Sequence, residues 1–109
     1  MCCEENNIFI GLDYDDTFTR DPVGWAEFVK MMLARGHEVM IVTWRTPEEA
    51  VEVGHDMNYW KLPVPVYATS RKAKMKYMFE QGICIDVVID DNPNSWTTSM
   101  QPQSAGLWN

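Results

Sequence analysis

Short, continuously apolar runs separated by stretches of helical spacing constrain this chain more than any other feature of its sequence. Ile8 to Leu12 (Ile-Phe-Ile-Gly-Leu) is the first run and Val39 to Val42 the second. Ile83 to Ile89 is a later one, interrupted only by Asp86. Strands that are apolar on both faces belong in a parallel sheet covered by helices, because crossover connections put a helix against each face. Leu62 to Tyr67 (Leu-Pro-Val-Pro-Val-Tyr) reads as a further short strand. Its two prolines lack the N–H that an inner strand must donate, which assigns it to a sheet edge.

Between these runs the signals are helical. Asp21-Pro22 supplies a cap and a first-turn proline for a helix to about Ala34, with Trp25, Phe28, Val29, Met32 and Leu33 at helical spacing and Gly36 as its stop. Thr46-Pro47-Glu48-Glu49 has the form of a capping box and opens a second helix to about Met57. A third helix is expected from about Ser70 to Gln81, stopped by Gly82. Strand and helix therefore alternate, the mark of the α/β class.

With 109 residues, 46% of them apolar, the chain suits one domain, with a core over about 7–93 and a polar tail over 94–109 anchored by Leu107 and Trp108. The formal net charge of −7 argues against a broad nucleic-acid-binding surface, which needs a basic footprint. A local basic site remains compatible, since four of the nine lysines and arginines fall between Arg71 and Lys76. No signal peptide and no apolar stretch of membrane-spanning length is visible, so no membrane partner is expected. Three cysteines without framework spacing point to a reducing compartment, the cytoplasm by default, and no Cys/His cluster offers a zinc site. Five Trp and eight Met residues permit a homodimer without requiring one.

The acidic residues are placed where chemistry would use them. The first strand ends in Asp13-Tyr14-Asp15-Asp16-Thr17, the second in Thr43-Trp44-Arg45, and the last in Asp90-Asp91-Asn92-Pro93. In an open parallel sheet, ligands bind beyond the carboxyl ends of the strands. Asp and Asn are also common turn formers, and one such cluster alone would carry little weight. Two clusters after two buried strands, with a threonine after a third, are better explained by a shared site. Carboxylates crowded there repel one another unless a cation lies between them, and oxygen donors without His or Cys favour Mg2+.

These residues resemble the haloacid dehalogenase superfamily of phosphohydrolases. Its first motif, an apolar strand followed by Asp-x-Asp-x-Thr, is matched by Asp13, Asp15 and Thr17; its second, a Ser or Thr ending the next strand, by Thr43. Its third is a lysine on the helix before the last core strand. Its fourth is matched by Val87-Val88-Ile89-Asp90-Asp91. The likeness covers about Ile8 to Pro93. It implies a three-layer α/β/α, Rossmann-like domain with about four parallel strands in the order 4-1-2-3 and no cap domain.

The resemblance also implies roles. Asp13 is expected as nucleophile and Asp15 as general acid and base. Mg2+ is expected on the carboxylates of Asp13 and Asp91 and the backbone carbonyl of Asp15. Thr43 and a lysine would hold phosphoryl oxygens, with Thr17 and Arg45 also at the substrate. Lys74, eight residues before Gly82, matches the spacing of short members, and Lys72 is the alternative. Asp90 is expected to pair with the lysine while Asp91 faces the metal, or the two exchange roles.

Asp16 stands where the family often has Gly, and relatives commonly carry a cap for which this chain has no room. An open site suits a phosphorylated partner of some size, a phosphoprotein or nucleic-acid end as well as a nucleotide, or a partner subunit as lid. Three rival readings are a signalling receiver domain, a metal-dependent nuclease-like fold, and a non-catalytic relative serving as a binding or assembly module. The receiver needs an acid after the third strand, where Ala68-Thr69-Ser70 stand.

Overall fold

Extended and helical segments alternate along residues 7–99, the part of the chain that the computed structural model describes. Four parallel strands form one sheet: β1 (Phe9–Leu12), β2 (Glu38–Thr43), β3 (Val66–Ala68) and β4 (Val87–Ile89). The spatial order is β3-β2-β1-β4, which counted from the β4 edge reads 4-1-2-3. Three helices connect them: α1 (Pro22–Ala34), α2 (Val51–Tyr59) and α3 (Lys74–Glu80).

Alternate residues of the central strands feed two separate cores. Ile10, Leu12, Val39 and Ile41 pack with Ala26 and Val29 of α1 and with Val53 and Met57 of α2. Met40 and Val42 instead pack with Met78 of α3 and with Trp96. Side chains of successive strand residues point to opposite faces, so continuous apolar runs are needed to serve both.

α1 begins as its sequence predicts, with the Asp21 carboxylate accepting from the Gly24 N–H at 3.1 Å. β2 runs one residue further at each end than the expected Val39 to Val42, whereas α2, β3, α3 and β4 are shorter than expected. The Thr46–Glu49 capping box forms, with Thr46 N–H donating to Glu49 Oε1 at 2.9 Å and Glu49 N–H to Thr46 Oγ1 at 3.3 Å. Regular α-helix nonetheless starts only at Val51, because Arg45 Nη1 donates to the Glu49 carbonyl at 2.8 Å. The Val53 N–H turns to Ala50 at 3.0 Å.

β3 loses Leu62–Pro65, whose prolines donate nothing, although the Pro65 carbonyl still accepts from Ile41 N–H at 2.9 Å. It lies at the sheet edge. α3 starts at Lys74 rather than near Ser70, since Ser70 and Arg71 have φ of 55° and 68°, outside the right-handed helical region. Their N–H groups are drawn instead to the carbonyls of Arg45 and Trp44, extending the β2–β3 ladder. β4 is confined to three residues of the expected seven.

The largest correction concerns the segment expected as a loose tail. Residues Pro93–Trp96 form a 3-10 turn in which Ser95 and Trp96 are buried, Trp96 with 3% of its surface exposed. The remainder of that tail, 100–109 with Leu107 and Trp108, lies outside the described residues. Cys2 and Cys3 do as well. Cys84 is disulfide-bonded, so the cysteine count does not argue for a reducing compartment. Among the described residues no helix is long and apolar enough to cross a membrane.

Candidate functional site

The carboxyl ends of β1, β2 and β4 lie side by side because β1 pairs with both neighbours. Asp13 follows β1 directly, its N–H donating to the Ile89 carbonyl at 2.9 Å. That bond carries the β1–β4 ladder one step past the end of β1 and brings Asp90 and Asp91 beside Asp13. The result is a cleft of about 240 Å3 lined by Asp13, Asp15, Asp16, Thr43, Trp44, Lys74, Asp90, Asp91, Asn92 and Ser95.

Lys74, the first residue of α3, is 1% exposed and reaches the cleft floor. Its Nζ donates to Asp13 Oδ1 at 2.8 Å and to Asp90 Oδ2 at 2.7 Å. Of the two lysines weighed from the sequence, Lys74 is the one at the carboxylates. Lys72 is exposed and lines a separate surface hollow with Lys76, Tyr77 and Glu80. Its expected place at substrate is corrected: the left-handed turn at Ser70 and Arg71 leaves Lys72 before the helix, out of the acidic cleft.

Thr17 is buried and joins the residues that follow β1 and β4. Its hydroxyl donates to Asp13 Oδ2 at 2.9 Å or to Asp91 Oδ1 at 3.2 Å, while accepting from the Asp91 N–H at 3.1 Å. A hydroxyl has one proton, so it serves one carboxylate at a time. Expected at substrate, Thr17 instead ties the carboxylates together. Thr43 is 1% exposed, lines the cleft, and its Oγ1 accepts from the Arg45 N–H at 3.3 Å. Asp16 adopts φ of 65°, a left-handed conformation that Asp tolerates better than most residues.

One oxygen from each of Asp13, Asp90 and Asp91 lies within 4.8 Å of the other two. Such a trio of hard donors can hold a cation of the Mg2+ or Ca2+ type, and does not by itself choose between them. The three are not equivalent. Asp90 Oδ2 accepts from Lys74, from Ser95 Oγ at 3.0 Å and from Trp96 Nε1 at 2.7 Å, while Oδ1 accepts from Asn92 N–H at 2.9 Å. Burial raises the pKa of Asp90, but these donors outweigh it and hold the carboxyl below its ordinary value.

Asp13 behaves oppositely. Burial pushes its carboxyl up to about 7, against the pull of Lys74 and Thr17 and with the help of the nearby Asp90 charge. A cation in the cleft would remove that penalty. Asp91 is exposed at the cleft mouth.

Asp15 lines the same cleft, but its carboxylate lies outside the trio. It is held by Arg45, with Nε donating to Oδ2 at 3.0 Å and Nη2 to Oδ1 at 2.8 Å. These bonds raise the Arg45 pKa further. Trp96 and Ser95 are the residues that sequence reasoning missed. The Trp96 ring also lies 5.6 Å from Lys74 Nζ, and Trp44 Nε1 donates to the Ser95 carbonyl at 3.2 Å. A tryptophan inside a run of Asn, Ser and Thr was the available signal. Comparison with known proteins finds no matching family model, no matching curated protein and no matching solved structure.

Proposed function

We propose that this protein is a Mg2+-dependent phosphohydrolase of the haloacid dehalogenase type, acting on phosphomonoesters through an aspartyl-phosphate on Asp13. One observation carries the reading: a buried carboxylate at a strand end, bonded to a buried ammonium on one oxygen and flanked by Asp90 and Asp91. The two packed faces of the sheet, with α1 and α2 on one side and α3 on the other, support the three-layer arrangement that such enzymes use.

In the proposed reaction an Asp13 oxygen attacks phosphorus and the bond to the leaving oxygen breaks, with Asp15 delivering a proton to that oxygen. Asp15 then takes a proton from the water that cleaves the aspartyl-phosphate. Lys74 and Thr43 offset charge on the phosphoryl oxygens. Asp13 and Asp91, with the backbone carbonyl of Asp15, would hold Mg2+, which supplies positive charge for the same purpose. Asp90 keeps Lys74 in place.

The cleft is open, and a substrate larger than the pocket, such as a phosphoprotein side chain or a nucleic-acid end, fits it as well as a nucleotide does. The test is hydrolysis of 4-nitrophenyl phosphate with Mg2+ by the native protein and by Asp13→Asn. The expected result is turnover abolished in the variant and in the presence of a chelator. Equal activity in Asp13→Asn refutes the nucleophile. Absence of activity in the native protein across nucleotides, sugar phosphates, phosphopeptides and nucleic-acid ends favours a binding module instead.

A further inference from the structure

Asp15 sits in the turn after β1 with half of its side chain exposed. An aspartate so placed ordinarily samples several rotamers, and that freedom must be given up each time the carboxylate meets a reacting oxygen. In this fold both carboxylate oxygens are held by the Arg45 fork. A bidentate guanidinium fixes orientation as well as position, which a single ammonium does not.

The fork is itself anchored from α2 and the turn that leads into it. Arg45 Nη1 donates to the Glu49 carbonyl at 2.8 Å and pairs with Glu52 Oε2 at 3.1 Å. The guanidinium lies 5.2 Å from the centre of the Tyr14 ring, and the Tyr14 hydroxyl donates to Asp56 Oδ2 at 2.9 Å. A chain of contacts thus runs from Glu49, Glu52 and Asp56 through Arg45 and Tyr14 to one carboxylate on the cleft wall. The late start of α2 belongs to the same device, since the Glu49 carbonyl is turned to Arg45 rather than into the helix.

We propose that Arg45 is a positioning residue that holds the Asp15 carboxylate in the orientation needed for proton transfer to the leaving oxygen, rather than a ligand of the phosphoryl group. This rests on the phosphohydrolase reading and adds a role that the matched motifs do not contain. The consequence is a dependence on the leaving group. A nitrophenolate departs without a proton, whereas an alkoxide needs one. In kcat/KM, which covers the steps up to departure of the leaving group, loss of a phosphoryl contact would weaken both substrates alike, whereas loss of orientation at Asp15 harms only the alkyl ester.

The experiment compares kcat/KM for 4-nitrophenyl phosphate and glycerol 2-phosphate with Mg2+, in the native protein, Arg45→Ala, Arg45→Lys, Asp15→Asn and the double variant Arg45→Ala with Asp15→Asn. In Arg45→Ala the glycerol ester should lose roughly 100-fold while the nitrophenyl ester changes little. Arg45→Lys should fall between, and Arg45→Ala should add little to Asp15→Asn because both remove one function. If Arg45→Ala does not fold, the Lys variant carries the comparison. Equal losses on the two esters, or additive losses in the double variant, overturn the positioning role and leave the phosphohydrolase standing. A native protein inactive on both esters takes down the phosphohydrolase and this role with it.

Discussion

Replacing Lys74 with Met removes one ammonium from between two carboxylates, and the structure sets how large the effect should be. Nζ is 2.8 Å from Asp13 and 2.7 Å from Asp90, whose side chains are only 8% and 2% exposed, so little solvent screens the charges. Asp90 keeps Ser95, Trp96 and the Asn92 N–H; Asp13 keeps only the shared Thr17 hydroxyl. The cost therefore falls mainly on Asp13. Breaking a buried pair from one side costs about 3–5 kcal/mol, a large part of the roughly 5–15 kcal/mol that holds a small domain folded.

The cost should depend on pH in one direction. In the native protein the Asp13 carboxyl lies near 7, above its ordinary 3.8, so its ionisation lowers stability as pH rises through that window. Without Lys74 its folded value moves higher still, and the loss continues to grow above pH 7, by at most about 1.4 kcal/mol per pH unit for one proton. Asp90 reinforces the trend. Its carboxyl is held below the ordinary value by Lys74 among others, so its contribution is present above that value and fades as pH falls through the native one. Removing Lys74 thus costs most at alkaline pH.

Urea unfolding followed by tryptophan fluorescence, with a chelator present, measures this directly. The deficit should reach about 3–5 kcal/mol near pH 8 and shrink markedly near pH 5. The double change Lys74→Met with Asp13→Asn should recover part of it, since no buried charge is then left unpaired. A deficit under about 1 kcal/mol near pH 8, or one that ignores pH, would refute the reasoning.

Two further expectations concern the cleft and the tryptophan packed behind it. Mg2+ should raise the melting temperature, by the equivalent of about 2.7 kcal/mol at a hundredfold excess over its dissociation constant. The gain should be larger above pH 7 than below, because the cation must displace a proton from Asp13; no shift at any pH, or an equal shift in Asp91→Asn, counts against the site. Gly11→Ala should destabilise by about 1–3 kcal/mol, because a Cβ there runs into the Trp96 ring. Native stability with an unshifted tryptophan emission would show that Trp96 does not depend on the glycine.

The elements that sequence pattern read correctly are those dictated by local chemistry. Asp21-Pro22 capped α1, and prolines 63 and 65 kept β3 at an edge. The segments that came out shorter were shortened by distant partners. Arg45 pulled the Glu49 carbonyl from α2, and the carbonyls of Trp44 and Arg45 held Arg71 and Ser70 out of α3. No periodicity within either segment encodes such a bond.

The candidate site divides the same way. That Asp13, Asp90 and Asp91 stand at strand ends is a property of the sequence, because apolar runs define strands and acids terminate them. Which ammonium meets them was decided by the fold, through two left-handed residues that place Lys74, not Lys72, at the start of α3. A lone tryptophan in a polar run hints at burial, but that Trp96 is buried on Asp90 was likewise decided by the packing. A side chain's chemistry belongs to its residue, but its partners belong to the packing, and long-range contacts leave no mark on the residues next to it in the chain.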